Sequence, residues 1–465
     1  MIARLAAGGK KELAANVQPT WLRRINDLPS RNLRFLCLAL LWAGLAPLAS
    51  QVRDLTILHT NDLHARLLPD GRRQGGFAHL AAAIRREQAG CGHCLLLDGG
   101  DLVQGTPVST LYRGLPVFEV RNLFRPDVAT LGNHEFDYGW RRAREFLRVA
   151  KFPIVSANVQ DENGRLFTQP YVVRPVNGVR VAVIGAMLEQ FRAMSIPELV
   201  GPWRAAPVVE AARRYAAEVR ERSDLVVLLG HIAPEEEDRL LAEAPEVAVI
   251  ISGHLHRGLE EPKAREKRVV VRVRAYGVEL GRLDLKVDVA NKAVASSSWN
   301  RIPIDSTLTP AAPDVARAVA RWEAKVARQV DLPIGEARRE IAGRDLKLLM
   351  EQAMIEQSGV ELAYMNQGGV RDFLPKGPLL ARHVWNVMPF DNTVVVAKVR
   401  GRDLPKAVVD GRPIDPERDY TLAVNNYVAA NQVTELGTSN LQFSRSGPLQ
   451  RDQLIAWIRK KRVLE

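Results

Sequence analysis

The chain has 465 residues, 46% of them apolar and 25% charged, with a formal charge of +12. That length is more than one ordinary core needs, and the composition is that of a soluble globular protein without low-complexity tracts. Of the charge, +5 sits in residues 1–50, and the rest is spread over mixed-sign helices without a basic run. This argues against nucleic acid as a partner, while a modest positive field favours anionic small molecules.

Residues 1–50 read as a leader and signal segment. Arg23, Arg24, Arg31 and Arg34 precede or open an apolar run from Leu33 through Ala46, and small residues follow near Ala49-Ser50. Basic start, short apolar stretch and small-residue exit describe a secretory signal, and about 12 apolar residues are too few to span a bilayer. The expectation is export, to the periplasm or the medium, with cleavage and no stable membrane insertion afterwards. Cys37 leaves with the leader, and Cys91 and Cys94 remain in Cys91-Gly92-His93-Cys94. In an oxidising compartment this spacing suits a small disulfide loop; a redox-active pair and a zinc site are its rivals.

From Arg53 short apolar strands alternate with amphipathic helices, the pattern of a layered α/β domain. Leu55–His59 runs into Thr60-Asn61-Asp62-Leu63-His64, and Leu95–Leu97 into Asp98-Gly99-Gly100-Asp101. Val128–Leu131 leads to Gly132-Asn133-His134-Glu135-Phe136-Asp137, and Leu225–Leu229 to Gly230-His231. Val247–Ile251 leads to Ser252-Gly253-His254-Leu255-His256. Five strands thus end in turns bearing metal-type ligands, where open α/β sheets place their chemistry. His254 and His256, alternate residues on an extended segment, would face one side. His59 reads as a core histidine, and His79 and His93 belong to no pattern. Arg141–Val149 and Glu236–Glu243 read as solvated helices. The prolines of Ile302–Asp314 mark a boundary, Asp314–Val330 reads as a helix with Trp322 inward, and Pro333-Ile334-Gly335 ends it. The organisation expected is a leader (1–50), a first domain (51–305), a linker with helix (306–331) and a smaller α/β domain (332–465).

In that smaller domain Asn366-Gln367-Gly368-Gly369-Val370-Arg371 follows an apolar run, so glycines admit a ligand close to the backbone and Arg371 offers a planar anion clamp. Phe390, beside Asn392, and Tyr427 lie on strand-proximal turns and have faces suited to a planar base.

Asp62, His64, Asp101, Asn133, His231, His254 and His256 are oxygen and nitrogen ligands without a thiolate, sufficient for two divalent ions with Asp101 as the shared carboxylate. Mn, Zn, Mg, Fe and Co all tolerate such a set. Two ions about 3.5–4 Å apart activate a water and hold a phosphoryl group for in-line displacement, which makes phosphate-ester hydrolysis the expected reaction. His134 is then free to protonate the leaving oxygen, with Asp137 or Glu135 behind it.

In order, Asp62-x-His64, Gly100-Asp101, Gly132-Asn133-His134-Glu135, Gly230-His231 and Gly253-His254-x-His256 resemble the calcineurin-like metallophosphoesterases. The approach Ile57–His64, the Asn133–Asp137 form and Asn366-x-Gly-Gly-x-Arg371 are similar specifically to the 5'-nucleotidase family, which includes periplasmic UDP-sugar hydrolases and cyclic-nucleotide phosphodiesterases. The resemblance implies a four-layer β-sandwich flanked by helices, with a smaller α/β substrate-binding domain. It implies one metal on Asp62, His64, Asp101 and His256, and another on Asp101, Asn133, His231 and His254. It also implies a His134–Asp137 dyad and a nucleoside clamp of Phe390, Tyr427, Asn366, Arg371 and Asn392. Three departures stand out: Asn431-Gln432-Val433 where the family has Gly-Gly-Asp, Tyr427 for Phe, and only Arg344 near a further expected arginine. Without a carboxylate at Val433, stacking would hold the base and discriminate weakly. Two other readings remain. A sulfur-oxidation thiosulfohydrolase shares both domains but lacks His at the Gly-Asn-His position. A nucleotide- or metal-binding module with vestigial catalysis is opposed by the complete ligand set.

Overall fold

The structure, a computed structural model, describes residues 52–465; the leader, its apolar segment and Cys37 lie outside the described residues. Strand alternation builds the first domain. In Val52–Thr60, Leu55 and Ile57 point to one face and Leu58 to the other, and Leu95, Leu97 and Leu96 of Cys94–Asp98 repeat the pattern. The inner residues meet Val181, Val183, Val227, Leu229, Val249 and Ile251 of a second sheet. The outer ones pack beneath the helices Phe77–Cys91 and Pro313–Val330. In the second sheet Ile184, Leu228 and Ile250 face outward under Val208–Val219 and Pro234–Glu243. The result is four layers: helices, sheet, sheet, helices. Full burial of each such side chain contributes about 1.5–3 kcal/mol, which ties the layers together over many residues.

Both sheets have six strands. In the first, Val52–Thr60, Cys94–Asp98 and Val128–Thr130 run parallel; in the second, Val179–Met187, Leu225–His231 and Val249–Ser252 do. Their carboxyl ends therefore deliver the ligand-bearing loops to one edge of the sandwich.

Helix Pro313–Val330 begins with proline at its first turn and buries Val315, Val319, Val326 and Val330 against the first domain. Trp322 meets Tyr112 edge-on at 4.9 Å and donates to Glu119 at 3.2 Å. Pro333-Ile334-Gly335 opens the strand Pro333–Ala337 rather than merely ending the helix. The smaller α/β part that follows holds two three-stranded sheets, one centred on Pro333–Ala337 and the other on Asp419–Asn425. Helix Pro234–Glu243 departs from the solvated reading. Glu237 is buried in an ion pair with Arg272 and Lys263, and Glu236 accepts from the Ala233 and Glu189 N–H groups. Charge in the sequence marks a solvated face only when no buried cation lies opposite. Among the described residues no helix is long and apolar enough to cross a membrane.

Candidate active site

The ligand loops are held in unusual backbone conformations. Asp62, His64, Asp101, His254 and His256 have φ of 51°, 45°, 54°, 81° and 58°, left-handed values that cost a non-glycine residue of order 1–3 kcal/mol. Hydrogen bonds between loops maintain them: Asp62 N–H donates to Gly100 O and His64 N–H to Asp101 O, both at 2.9 Å, and His254 N–H to the Asp62 carboxylate at 3.0 Å. His254 and His256 therefore sit on a left-handed loop, not on the extended segment read from the sequence. Strand Val249–Ser252 has already ended before them. Gly132 has an ordinary φ and serves by size, since a Cβ there would strike the Asp101 carboxylate.

Ligand atoms of Asp62, His64, Asp101 and His256 lie within 4.8 Å of one another, a group able to hold a metal ion. The His64 and His256 Nε2 atoms face each other at 2.9 Å. Burial, with the Arg371 charge nearby, keeps both rings neutral: His256 falls to about 2 and His64 well below the usual imidazole range. Two imidazole lone pairs at that distance suit a shared cation. Beside this group, His231 Nε2 lies 3.1 Å from both Asp101 Oδ2 and Asn133 Oδ1. Its Nδ1–H donates to Gly99 O at 2.9 Å, which leaves Nε2 facing the ligands. Burial opposes charge on His231, yet Asp101 and Asp62 carry it up to about 10, so metal binding there competes with a proton. The His254 ring stands 5.3 Å from that of His231 and is also held neutral by burial, at about 3.

His134 Nδ1–H donates to Asp137 at 2.6 Å, and its Nε2 lies 4.0 Å from Asp101. Burial opposes charge on His134, but Asp137 and Asp101 outweigh it and raise the ring; burial raises Asp137 too. Glu135 is occupied elsewhere, accepting from Gly132, Leu102 and Asp101 N–H groups at 2.6, 2.9 and 3.1 Å. It splices the Asp101 loop to the His134 loop. From the smaller domain Arg371 reaches His64 Nε2 at 3.2 Å.

Next to the ligands opens a cavity of about 310 Å³, lined by Asn133, His134 and His254 from the first domain and by Asn366, Arg371, Phe390, Asn392 and Tyr427 from the second. The structure thus brings together every sequence-predicted ligand, dyad and clamp residue; Arg344 lies away from them, exposed beside Asp410. Sequence reasoning missed Gln104, whose buried amide has no partner among the described residues and lines the cavity, and Tyr276, whose hydroxyl is 3.3 Å from His256 Nδ1. It missed Glu435 as well. Val433 is 69% exposed, while Glu435, two residues on in the short helix Gln432–Leu436, lines the cavity. A carboxylate sought by motif offset alone is invisible once a helical turn shifts it.

The family model described as calcineurin-like phosphoesterase matches residues 55–258, and that of the 5'-nucleotidase C-terminal domain matches 327–408. Protein UshA of Yersinia enterocolitica is 27% identical, over 81% of this chain and 85% of the relative. A crystal structure of a 5'-nucleotidase precursor from Thermus thermophilus matches with a TM-score of 0.80 at 25% identity, covering 89% of this chain and 97% of that one. The chain carries a calcineurin-like phosphoesterase domain followed by a 5'-nucleotidase C-terminal domain. The enzyme is a phosphoric ester hydrolase of metallophosphatase type. Sulfate thiohydrolase SoxB from Thermus thermophilus, in complex with glycerol, matches with a TM-score of 0.77 at 20% identity, over 88% of this chain and 94% of that one, and shows a shared fold alone. Calcineurin-like phosphoesterases imply divalent metal ions, and a donor set of carboxylates, imidazoles and an amide without a thiolate fits them. Away from the site, Cys91 and Cys94 are joined with their Cα atoms 6.0 Å apart. His59 is fully buried, stacked on Trp299 at 5.3 Å and held neutral by burial.

Proposed function

We propose that the enzyme hydrolyses phosphate esters of nucleotides at two metal sites, with residues 51–305 carrying catalysis and 332–465 holding the substrate. The observation that supports this most is shared walls: His134, Asn133 and Arg371 border both the ligand cluster and the 310 Å³ cavity. An ester whose phosphate meets the ligands therefore has its leaving group in the cavity. One ion would be held by Asp62, His64, Asp101 and His256, and the other by Asp101, Asn133, His231 and His254. When bound, such a pair supplies Lewis-acid stabilisation of the phosphoryl oxygens and lowers the pKa of a water.

The chain's own residues do the rest. His134, charged through Asp137, delivers its Nε2 proton to the departing oxygen. Arg371 balances the phosphate charge, and the unpartnered Gln104 amide offers it further donors. Phe390 and Tyr427 stack the base, while Asn366 and Asn392 supply polar contacts. Mixed walls also leave room for nucleotide sugars or cyclic nucleotides as substrates. The leader places the enzyme outside the cytoplasm after cleavage. Metal analysis combined with a panel of nucleoside monophosphates, nucleotide sugars, cyclic nucleotides and a protein-bound thiosulfonate tests the proposal. Turnover of the thiosulfonate alone would replace it with the thiosulfohydrolase reading.

A further inference from the structure

The cavity holds three carboxylates, and two of them are spoken for. Asp137 pairs with His134 at 2.6 Å, and Asp391 pairs with Arg451 at 2.9 Å. Among the described residues Glu435 has no cation or imidazole as partner; the phenols beside it are Tyr427 and Tyr364, and the Tyr364 hydroxyl donates to the Glu435 backbone carbonyl at 3.4 Å. The Tyr427 phenol has a single hydrogen, and the Ala193 carbonyl lies 3.1 Å from its oxygen. That hydrogen cannot satisfy both, and it leaves most of the acceptor capacity of the carboxylate unused. Burial has already taken water from Glu435, raising its carboxyl. A half-buried carboxylate at a cavity wall with no cation paired to it has acceptor capacity left for a ligand's donors.

Its position says what kind. Glu435 lines the cavity beside the hydroxyl of Tyr427. A base stacked on the Tyr427 ring with its edge toward that hydroxyl would meet the carboxylate. We propose that Glu435 reads the base edge and selects rings presenting two adjacent N–H donors, guanine above all; this rests on the nucleotidase reading. Guanine sets its ring N–H beside its exocyclic amine, which matches the two oxygens of a carboxylate. Adenine sets a ring lone pair beside its amine, and uracil flanks one N–H with carbonyls, so each brings a repelling atom. Hypoxanthine keeps the ring N–H and loses the amine. Met194, Ile196 and Leu199 line the same cavity, with the Ser195 hydroxyl among them.

The test is kcat/KM for the 5'-monophosphates of guanosine, inosine, adenosine and uridine, and for glycerol phosphate, in the metal-loaded enzyme and in Glu435→Gln. Charge-assisted hydrogen bonds correspond to roughly 10–100-fold, so guanosine should exceed uridine by about that factor in the native enzyme, with inosine between them. In Glu435→Gln the guanosine-to-uridine ratio should collapse and the adenosine-to-guanosine ratio rise, because an amide pairs bidentately with adenine. Glu435→Asp should keep part of the guanosine preference. Ratios within one protein cancel any loss of folded enzyme. Guanosine and uridine turned over within about threefold of each other by the native enzyme, or a guanosine preference intact in Glu435→Gln, would overturn the assignment and leave the nucleotidase reading standing. Hydrolysis of glycerol phosphate with none of any nucleotide overturns both.

Discussion

Replacing His134 with alanine separates proton donation from every other contribution of the site. His134 donates through Nδ1 to Asp137 at 2.6 Å and is not in the four-residue ligand group, so its loss leaves those ligands in place. General acid catalysis contributes about 10²–10⁴-fold, or roughly 2.7–5.4 kcal/mol of barrier at 1.36 kcal/mol per decade. A nucleoside 5'-alkoxide needs that proton to depart. Nitrophenolate does not. His134→Ala should therefore lower kcat on a nucleoside monophosphate by two to four decades and on nitrophenyl phosphate by less than about tenfold, with metal content unchanged. Asp137→Asn should fall between the native enzyme and His134→Ala, because the ring stays but loses the carboxylate that raises it. Steady-state kinetics on both esters, with metal determined on the same samples, decides the matter. An equal loss on the two esters would refute donation and make His134 a positioning group, and a drop in bound metal would make it a ligand.

Asp101→Asn removes the carboxylate nearest both ligand groups; bound metal and turnover should fall together, and full activity with two ions retained would defeat the bridging role. In the native enzyme metal affinity should weaken as pH falls through about 6, where burial has raised Asp62 and protons compete for it; titration of the metal-stripped enzyme at several pH values measures this. Phe390→Ala should cost nucleoside monophosphates about 1–3 kcal/mol, mostly in KM, and spare glycerol phosphate; equal losses would make Phe390 a packing residue. Reducing Cys91–Cys94 should cost stability at the low end of roughly 0–5 kcal/mol, since so short a loop restricts little chain entropy, and alkylation followed by mass measurement shows whether the pair exists.

Local chemistry was legible in the sequence because strands and the turns after them are short-range features. Alternation of apolar residues set the two faces of Val52–Thr60 and Cys94–Asp98, and ligands placed just after such strands had to emerge at one sheet edge. The His134–Asp137 pairing is likewise local, three residues apart within one turn. Which carboxylate stands behind His134 was not. Glu135 is withdrawn by N–H groups of Asp101 and Leu102, more than 30 residues away, and no periodicity encodes that. Arg371 meets His64 across 307 residues, and the left-handed loop of His254 and His256 is held by Asp62, 192 residues from His254. Glu435 entered the cavity by a turn of helix that motif spacing cannot see. Sequence determines which groups a strand end offers. Register between sheets and packing between domains decide which of them meet, because hydrogen bonds and burial act on distance in space and not on distance along the chain.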